Sequence, residues 1–556
     1  MATIVSTDPS AAGEIGEPLK LRRTVGFWGL SFVSLGSIIG SGWLLGALTA
    51  ASIAGGASLI SWILAVLMLM VLALIHADLG AAYPVAGGTA RYPHYAFGGL
   101  AGFTAGWVTY LQAVAIAPLE VEASIGYVNA LPAVHSGFNM LNTDGTLNGL
   151  GLIIGVLALA LFTYINLMGA RLMSDSNTGI VLWKIFVPVL TIIVLLVVAF
   201  HPGNFSAGGG FMPYGWHGVF AALPAGVVFA LQGFEQATQM AGEAKDPRKH
   251  LAKAIILAMV IGAVIYLLLE VAFIGALDPA NLVDGWAHPI AKGDYGPYYT
   301  LAITSGIGWL AIVLMIDAVI SPGGTGLIYI GTTARISYAL GLPKSLTKVS
   351  KRGVPIWSVL LAAVLGVICL APSSSWQTLV GLVTGATAIM YAFAPISLAA
   401  LRKADPGREH PYQSPIPGFL LPVGFFFANL IIYWGGFNAT WQLLIGVALG
   451  QAIFIIAGFL KPKSVDMARA NMRSLIWIYP WLLGMLVIGW VGNYGGGLNL
   501  LWPNAPAPVD ALVVLAWSLL IFYFAVSRVQ ETSEILRSVE MDKDDTEIAG
   551  LEPATT

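Results

Sequence analysis

Five ionisable residues, Glu120, Glu122, Lys184, Glu235 and Asp317, stand inside long apolar stretches of this chain. On insertion scales a charge at the centre of a bilayer costs at least about 2.5–3.5 kcal/mol, so each needs a partner, a proton or a water-filled cavity. Lys184 is the most isolated, because Leu182-Trp183-Lys184-Ile185-Phe186-Val187-Pro188 holds no other charge. A lysine ammonium deprived of water can release its proton and regain it, which suits a proton carrier. A lysine snorkelling to an interface, or one held in a permanent ion pair, fits the same residue. Glu122 and Glu235 are candidates for lining a polar cavity or relaying protons, with an ordinary buried hydrogen bond as the alternative; Glu120 and Asp317 have the weaker case. Two interruptions add backbone chemistry. Gly36-Ser37-Ile38-Ile39-Gly40-Ser41-Gly42 breaks one apolar run, and Pro224, Gly226 and Phe229-Ala230-Leu231-Gln232-Gly233-Phe234-Glu235 break another. Each glycine costs a helix about 0.5–1 kcal/mol relative to alanine. Where such a helix unwinds, amides of one half hold an anion and carbonyls of the other hold a cation. The expected anion site is the amides of Ile39, Gly40, Ser41 and Gly42; the expected cation site is the carbonyls around Phe229, Ala230 and Gln232. Close helix packing, as in Gly36-x-x-x-Gly40, is the competing explanation for either run alone.

The elements that must carry these groups follow from composition. Of 556 residues, 57% are hydrophobic and 10% charged, against roughly 25% charged in a soluble domain. The net charge of -2 leaves no basic excess for nucleic-acid phosphates, and the single cysteine, Cys369, supports neither a disulfide framework nor a thiolate metal cage. Fourteen apolar runs are long enough to span a hydrocarbon core, and only helices satisfy their backbone in lipid. Of the 26 Lys and Arg residues, all but Lys184 and Lys292 fall on one side of that alternation. The positive-inside rule therefore predicts that both termini are cytoplasmic. No cleavable signal peptide is expected before Leu21. The polar segments 130–148 and 278–298 fall outside, and the acidic end is expected to be disordered. The histidines are scattered, and no metal-spaced cluster, nucleophile motif or phosphate loop occurs, so neither an enzyme nor a metal or cofactor is expected. Glu270, near the outer end of the seventh run, and His76 and Asp78, near the inner end of the second, are expected to be hydrated.

The two interruptions fall in the first helix of two successive five-span blocks, the pattern of an inverted-repeat transporter. From there the chain resembles the amino acid/polyamine/organocation superfamily over about residues 20–410. The likeness rests on Gly36 to Gly42, Asp78-Leu79-Gly80 with Pro84-Val85-Ala86-Gly87-Gly88, Gly233-Phe234-Glu235 with Glu243, and Arg335-Ile-Ser-Tyr-Ala followed by Leu342-Pro343 and Arg352-Gly-Val-Pro355. Trp43, Ala241-Gly242-Glu243-Ala244-Lys245 and Val271-Ala-Phe-Ile-Gly275 are similar to the bacterial aspartate/proton symporter branch. The resemblance implies an all-α polytopic membrane protein with a 5+5 inverted-repeat, LeuT-like core, discontinuous helices 1 and 6, and four further C-terminal helices. The corresponding organisation is a cytoplasmic tail at 1–24, a first repeat at 25–200, a second at 201–402, accessory spans at 403–530 and an acidic cytoplasmic tail at 531–556.

For function, the resemblance implies a cell-membrane importer that moves an amino acid with protons by alternating access. It places Lys184 where sodium-coupled relatives hold sodium, and sets Ser321 and Thr325 of the eighth span opposite it; helix packing beside Gly323 and Gly324 is the equal alternative for those hydroxyls. Glu122 and Glu235 become substrate-cavity candidates. The core spans hold no arginine for a second substrate carboxylate, so an acidic, a neutral and a cationic substrate all stay open. An amino-acid or amine exchanger and a non-transporting sensor are the alternative functions. The expected partners are a small amino acid, protons and the lipid bilayer, with no nucleic acid; the residues say nothing of oligomeric state.

Overall fold

A computed structural model describes residues 25–168, 170–290, 296–340, 355–370, 375–460, 472–500 and 509–547. Lys20, Arg22, Arg23, Lys292, Leu342, Pro343 and Arg352 lie outside the described residues. Within them the chain is helical, with two isolated β-bridges and no strand. The first apolar run is two helices, α1 (Phe27–Ile38) and α2 (Ser41–Ala54), followed by α3 (Ser58–Ala82). Next come α4 (Gly88–Phe97), α5 (Gly99–Asn129), α6 (Gly149–Met168) and α7 (Ala170–Val198). The sixth run gives α8 (Gly215–Leu231) and the single turn α9 (Gln236–Gln239). It is followed by α10 (Pro247–Ala276), α11 (Pro297–Thr304), α12 (Gly308–Ala339), α13 (Ile356–Cys369) and α14 (Trp376–Ala404). The remaining helices are α15 (Pro417–Leu460), α16 (Leu475–Val491), α17 (Val509–Ser527) and α18 (Thr532–Glu547), the last of them where disorder was expected, held by Thr532 Oγ1 donating to the Ala404 carbonyl and by buried Ile535.

Among the described residues, ten helical stretches are long and apolar enough to cross a membrane. The pattern of fourteen runs maps onto them with two mergers: Ser41–Ala82 is one stretch across the short turn Gly55–Ala57, and α15 contains two runs joined at Gly436, where φ is 84°. The first, sixth and ninth runs contain helices shorter than 18 residues. Two of these are short because the helix is broken. Ile39 (ψ 87°) and Gly40 (ψ -138°) leave helical space between α1 and α2, and Gln232 (ψ 162°) and Gly233 (φ 114°) do so after α8.

The two segments are in close contact at the breaks. A Cβ on Gly42 would lie 2.7 Å from Cα of Ala230, and one on Gly233 would lie 2.9 Å from Cβ of Ser37. Glycine is thus required at both crossings, at Gly233 also for its positive φ. Ser34 Oγ donates to the Phe234 carbonyl at 2.9 Å, and Val25 exchanges backbone hydrogen bonds with Glu243 and Lys245. Around this pair α5 packs on α12 and α14, α3 on α10, and α1 on α10. The outward faces stay apolar, as Ile153, Leu157 and Leu161 on α6 and Leu182, Phe186 and Ile193 on α7 show by their exposure. Such faces suit hydrocarbon rather than water.

Three interfacial expectations need correction. Glu270, His76 and Asp78 are all buried. Glu270 accepts from Ser58, His76 lies against the Leu72 carbonyl, and Asp78 is enclosed by Arg402, His410 and Ser414. Packing by the last turn of α14 and the residues after it, distant in sequence, replaces the water expected for Asp78.

Candidate functional site

Unwinding at Ile39 and Gly40 exposes carbonyls at the end of α1, which a helix of this kind cannot satisfy internally. Lys184 of α7 answers that need. Its Nζ donates to the Gly36 carbonyl and to Thr325 Oγ1 of α12, each at 2.7 Å, and the side chain is fully buried. Thr325 Oγ1 also lies 3.0 Å from the Gly36 carbonyl and 3.3 Å from that of Ile39. Gly324 keeps the lysine's path open, since a Cβ there would sit 3.1 Å from Lys184 Cε. One ammonium therefore ties α7, the broken first helix and α12 together, and both of these acceptors are neutral oxygens.

The opposite lip of the break is the N-terminus of α2. Of the four amides expected to be free, those of Ile39 and Gly40 donate to the Leu35 and Ile38 carbonyls. The Ser41 amide donates to Glu120 Oε2 of α5 at 2.7 Å. Gly42 lies in the first turn of α2, where an amide has no intrahelical acceptor. On the other broken helix, the carbonyls of Ala230 and Leu231 sit at the end of α8, beyond its last intrahelical donors. Ser37, Gly40, Gly42, Glu120, Phe229, Gln232, Thr325 and Tyr329 line one cavity of about 220 Å³ between the two breaks. Gln232 is 2% exposed, and neither atom of its side-chain amide has a hydrogen-bond partner.

The cavity brings together Gly40, Gly42, Phe229 and Gln232 among the residues read from sequence; Ile39, Ser41 and Ala230 are their chain neighbours and do not line it. Three others lie elsewhere. Glu235 is buried, accepting from the Gly233 amide at 3.0 Å, Gln236 Nε2 at 3.1 Å and Tyr391 Oη at 2.6 Å, so it braces the break after α8. Glu122 lines a second cavity, of about 550 Å³, with Thr49, Leu141, Trp376 and Gln377. A helix turns about 100° per residue, which carries positions 120 and 122 of α5 to different faces. Ser321 does not meet Lys184: it donates to Asp317 Oδ1 at 2.7 Å, and Asp317 Oδ2 accepts from Trp43 Nε1 at 3.1 Å. One helical turn separates Ser321 from Thr325, and the turn nearer the break is the one the lysine reaches.

Glu120 and Trp376 are the site residues that sequence reasoning ranked low or missed. Trp376 donates from Nε1 to Ser41 Oγ at 3.0 Å and sets its ring edge-on to Phe229, with centroids 5.8 Å apart, while also lining the second cavity. It stands between the two spaces. From sequence, a tryptophan at the start of a span reads as an interfacial anchor. The two glutamates of Glu120-Val-Glu122 differ only in which face packs inward, and no local signal separates them.

A family described as amino acid permease matches residues 25–459. The chain is 35% identical over 511 residues to the glutamate/serine transporter AimA of Bacillus subtilis, covering 90% of this chain and 94% of the relative. It is 32% identical over 514 residues to the aspartate-proton symporter of the same organism, covering 91% and 96%. At 27% identity over 459 residues it is similar to the branched-chain amino acid permease BcaP, also of Bacillus subtilis, covering 79% and 93%.

Proposed function

The chain belongs to the amino acid permease family, and from that premise we propose that it is a proton-coupled amino-acid symporter working by alternating access, with both termini on the cytoplasmic side. The family and these relatives are transporters, not enzymes, and the apolar helices make the chain a multi-pass membrane protein. The observation that carries the coupling is the Lys184 ammonium, bridging the Gly36 carbonyl and Thr325 Oγ1 at 2.7 Å each. A charged amine fills the role of a bound cation there. When it loses its proton it keeps two N–H donors but loses the charge that strengthens both bonds, so the contact between the first helix and α12 weakens. Helix contacts that exist in one protonation state and not in the other are what a two-state transporter needs.

The substrate ammonium is assigned to the carbonyls ending α8 and its carboxylate to the amides beginning α2. Gln232 is then the group nearest the substrate side chain, and its unpartnered amide favours a polar one. This accords with relatives named for glutamate, serine and aspartate. The cavity offers an acidic side chain a carboxamide and hydroxyls rather than a guanidinium.

Uptake of labelled L-serine, L-glutamate, L-aspartate and neutral controls into proteoliposomes, with an inward proton gradient and with or without preloaded amino acid, tests the reading. Accumulation into empty vesicles that a protonophore collapses supports symport. Uptake only into preloaded vesicles makes the protein an exchanger, and binding without flux makes it a sensor.

A further inference from the structure

We propose that the Glu120 carboxylate is a built-in competitor of the substrate, occupying the anion site at the broken first helix and yielding it when it takes up a proton. The proposal rests on the reading of the cavity as an amino-acid site. Its starting point is the hydrogen bond from the Ser41 amide to Glu120 Oε2, 2.7 Å long, at the first residue of the 14-residue helix α2. The amides that begin a helix favour an anion, and here the anion is supplied by the protein itself. Gly40 makes the approach possible: a Cβ at that position would lie 2.6 Å from Glu120 Oε1. Both residues are buried, so water does not compete for the amide.

A second observation points independently to a ligand in the same cavity. Gln232, 2% exposed, presents an amide whose oxygen and nitrogen have no partner, beside Glu120 in the cavity lining. Buried amides are normally paired, and an unpaired one facing a cavity marks where a polar ligand belongs. An amino acid seated between Gln232 and α2 brings a carboxylate to the amide that Glu120 already holds. Two carboxylates at one buried donor repel strongly at low effective dielectric. If Glu120 takes a proton as the substrate carboxylate arrives, the amide changes partner. The cluster then keeps one negative charge against Lys184: a glutamate before loading, the substrate carboxylate after it.

The groups positioned to feel that exchange are Lys184 on α7, Tyr266 on α10 and Tyr329 on α12, with Asp317 on α12 acting on the same lysine. Tyr266 donates to the Ile38 carbonyl at 2.8 Å, across the break from Glu120. None of these groups contacts the Ser41 amide, so the competition is specific to Glu120.

Binding of tritiated L-serine and L-glutamate to the full chain in nanodiscs, from pH 5 to pH 8, is the test. In the wild type, apparent Kd is expected to weaken as pH rises, approaching about tenfold per pH unit, the slope for one linked proton. Glu120→Gln removes the competing charge, so it should bind more tightly than wild type at pH 8 and lose the slope. Glu120→Asp keeps the charge but withdraws it by one methylene from the Ser41 amide, so it too should bind more tightly at pH 8. It decides the matter if the glutamine variant does not fold. Ethanolamine, the serine skeleton without its carboxylate, should gain from neither substitution. A slope retained in Glu120→Gln, or weaker binding by both variants at pH 8, overturns the competition and makes Glu120 a direct ligand or a cap. If the wild type binds neither amino acid at any pH, the amino-acid reading itself fails and the competition falls with it.

Discussion

At the end of α3, Asp78 accepts from Arg402 Nη2 at 2.5 Å and from the amide and hydroxyl of Ser414 at 2.8 and 2.9 Å, and lies 2.6 Å from His410 Nδ1. At the broken first helix, Lys184 donates to a carbonyl and a hydroxyl, and Glu120 accepts from a backbone amide. Both regions bury charge, but the first matches it with opposite charge in direct contact and the second with neutral dipoles. A carboxylate held by a guanidinium and three further groups gains nothing by moving, and it fastens residues 402–414 to α3 as a fixed joint. A charge whose direct contacts are dipoles, with opposite charge only at longer range, is stabilised more weakly, so a proton or a substrate can rearrange it. The contrast separates scaffold from moving part without reference to distance from the cavity.

The strongest attempt to break that contrast is at Lys184. Lys184→Ala is expected to abolish gradient-driven accumulation, leaving uptake at the passive level in proteoliposomes. Lys184→Arg is the sharper variant, because a guanidinium keeps the charge but does not release its proton. It should also fail to accumulate. Normal accumulation by the arginine variant would mean that charge alone is needed and that this region is as static as the Asp78 joint.

A smaller effect on transport and a larger one on stability are expected at Asp78. Asp78→Asn leaves the Arg402 guanidinium without its carboxylate, and breaking a buried pair costs about 3 kcal/mol. The midpoint of thermal unfolding in detergent should fall accordingly, while Kd for the transported amino acid stays within about twofold. A shift in Kd without a loss of stability would place this joint among the moving parts.

Trp376→Phe probes the boundary between the two cavities. The ring contact with Phe229 is largely kept, and only the donor to Ser41 Oγ is lost. A neutral hydrogen bond contributes about 1 kcal/mol, so KM should rise several-fold with little change in maximal rate. A fall in maximal rate with unchanged KM would assign the tryptophan to the conformational step instead.

Much of this fold was legible because membrane constraints are severe. Apolar runs, one-sided basic residues and paired glycine interruptions each follow from the cost of bare backbone or charge in lipid. The broken helices were marked by Gly42 and Gly233, whose missing Cβ atoms the crossing requires, and by Gly40, whose missing Cβ lets Glu120 approach. The site was legible in its backbone, in Gln232 and in Lys184 with Thr325, but not in Glu120 or Trp376. Glu120 and Glu122 have the same local sequence environment, and the rotation of α5 that points one at Ser41 and the other at the second cavity is set by packing against α12 and α14. The Asp78 joint was read as hydrated for a similar reason: its partners lie more than 300 residues along the chain.

The smallest expected effect belongs to Ser321, which the superfamily resemblance set opposite Lys184. Its hydroxyl donates to Asp317 Oδ1 at 2.7 Å, and Asp317 keeps a second donor in Trp43 Nε1 at 3.1 Å. Ser321→Ala therefore removes one hydrogen bond from a carboxylate that keeps Trp43 as a donor and is not among the cavity-lining residues, a loss of about 1.5 kcal/mol. Accumulation ratio and its pH dependence should both stay within about twofold of wild type, measured in the same proteoliposomes as the Lys184 variants. The comparison depends on this near-silence. If Ser321→Ala abolishes accumulation while Kd is unchanged, the proton path runs through Asp317, and the boundary between fixed joint and moving part lies one helical turn further along α12 than the contacts of Lys184 place it.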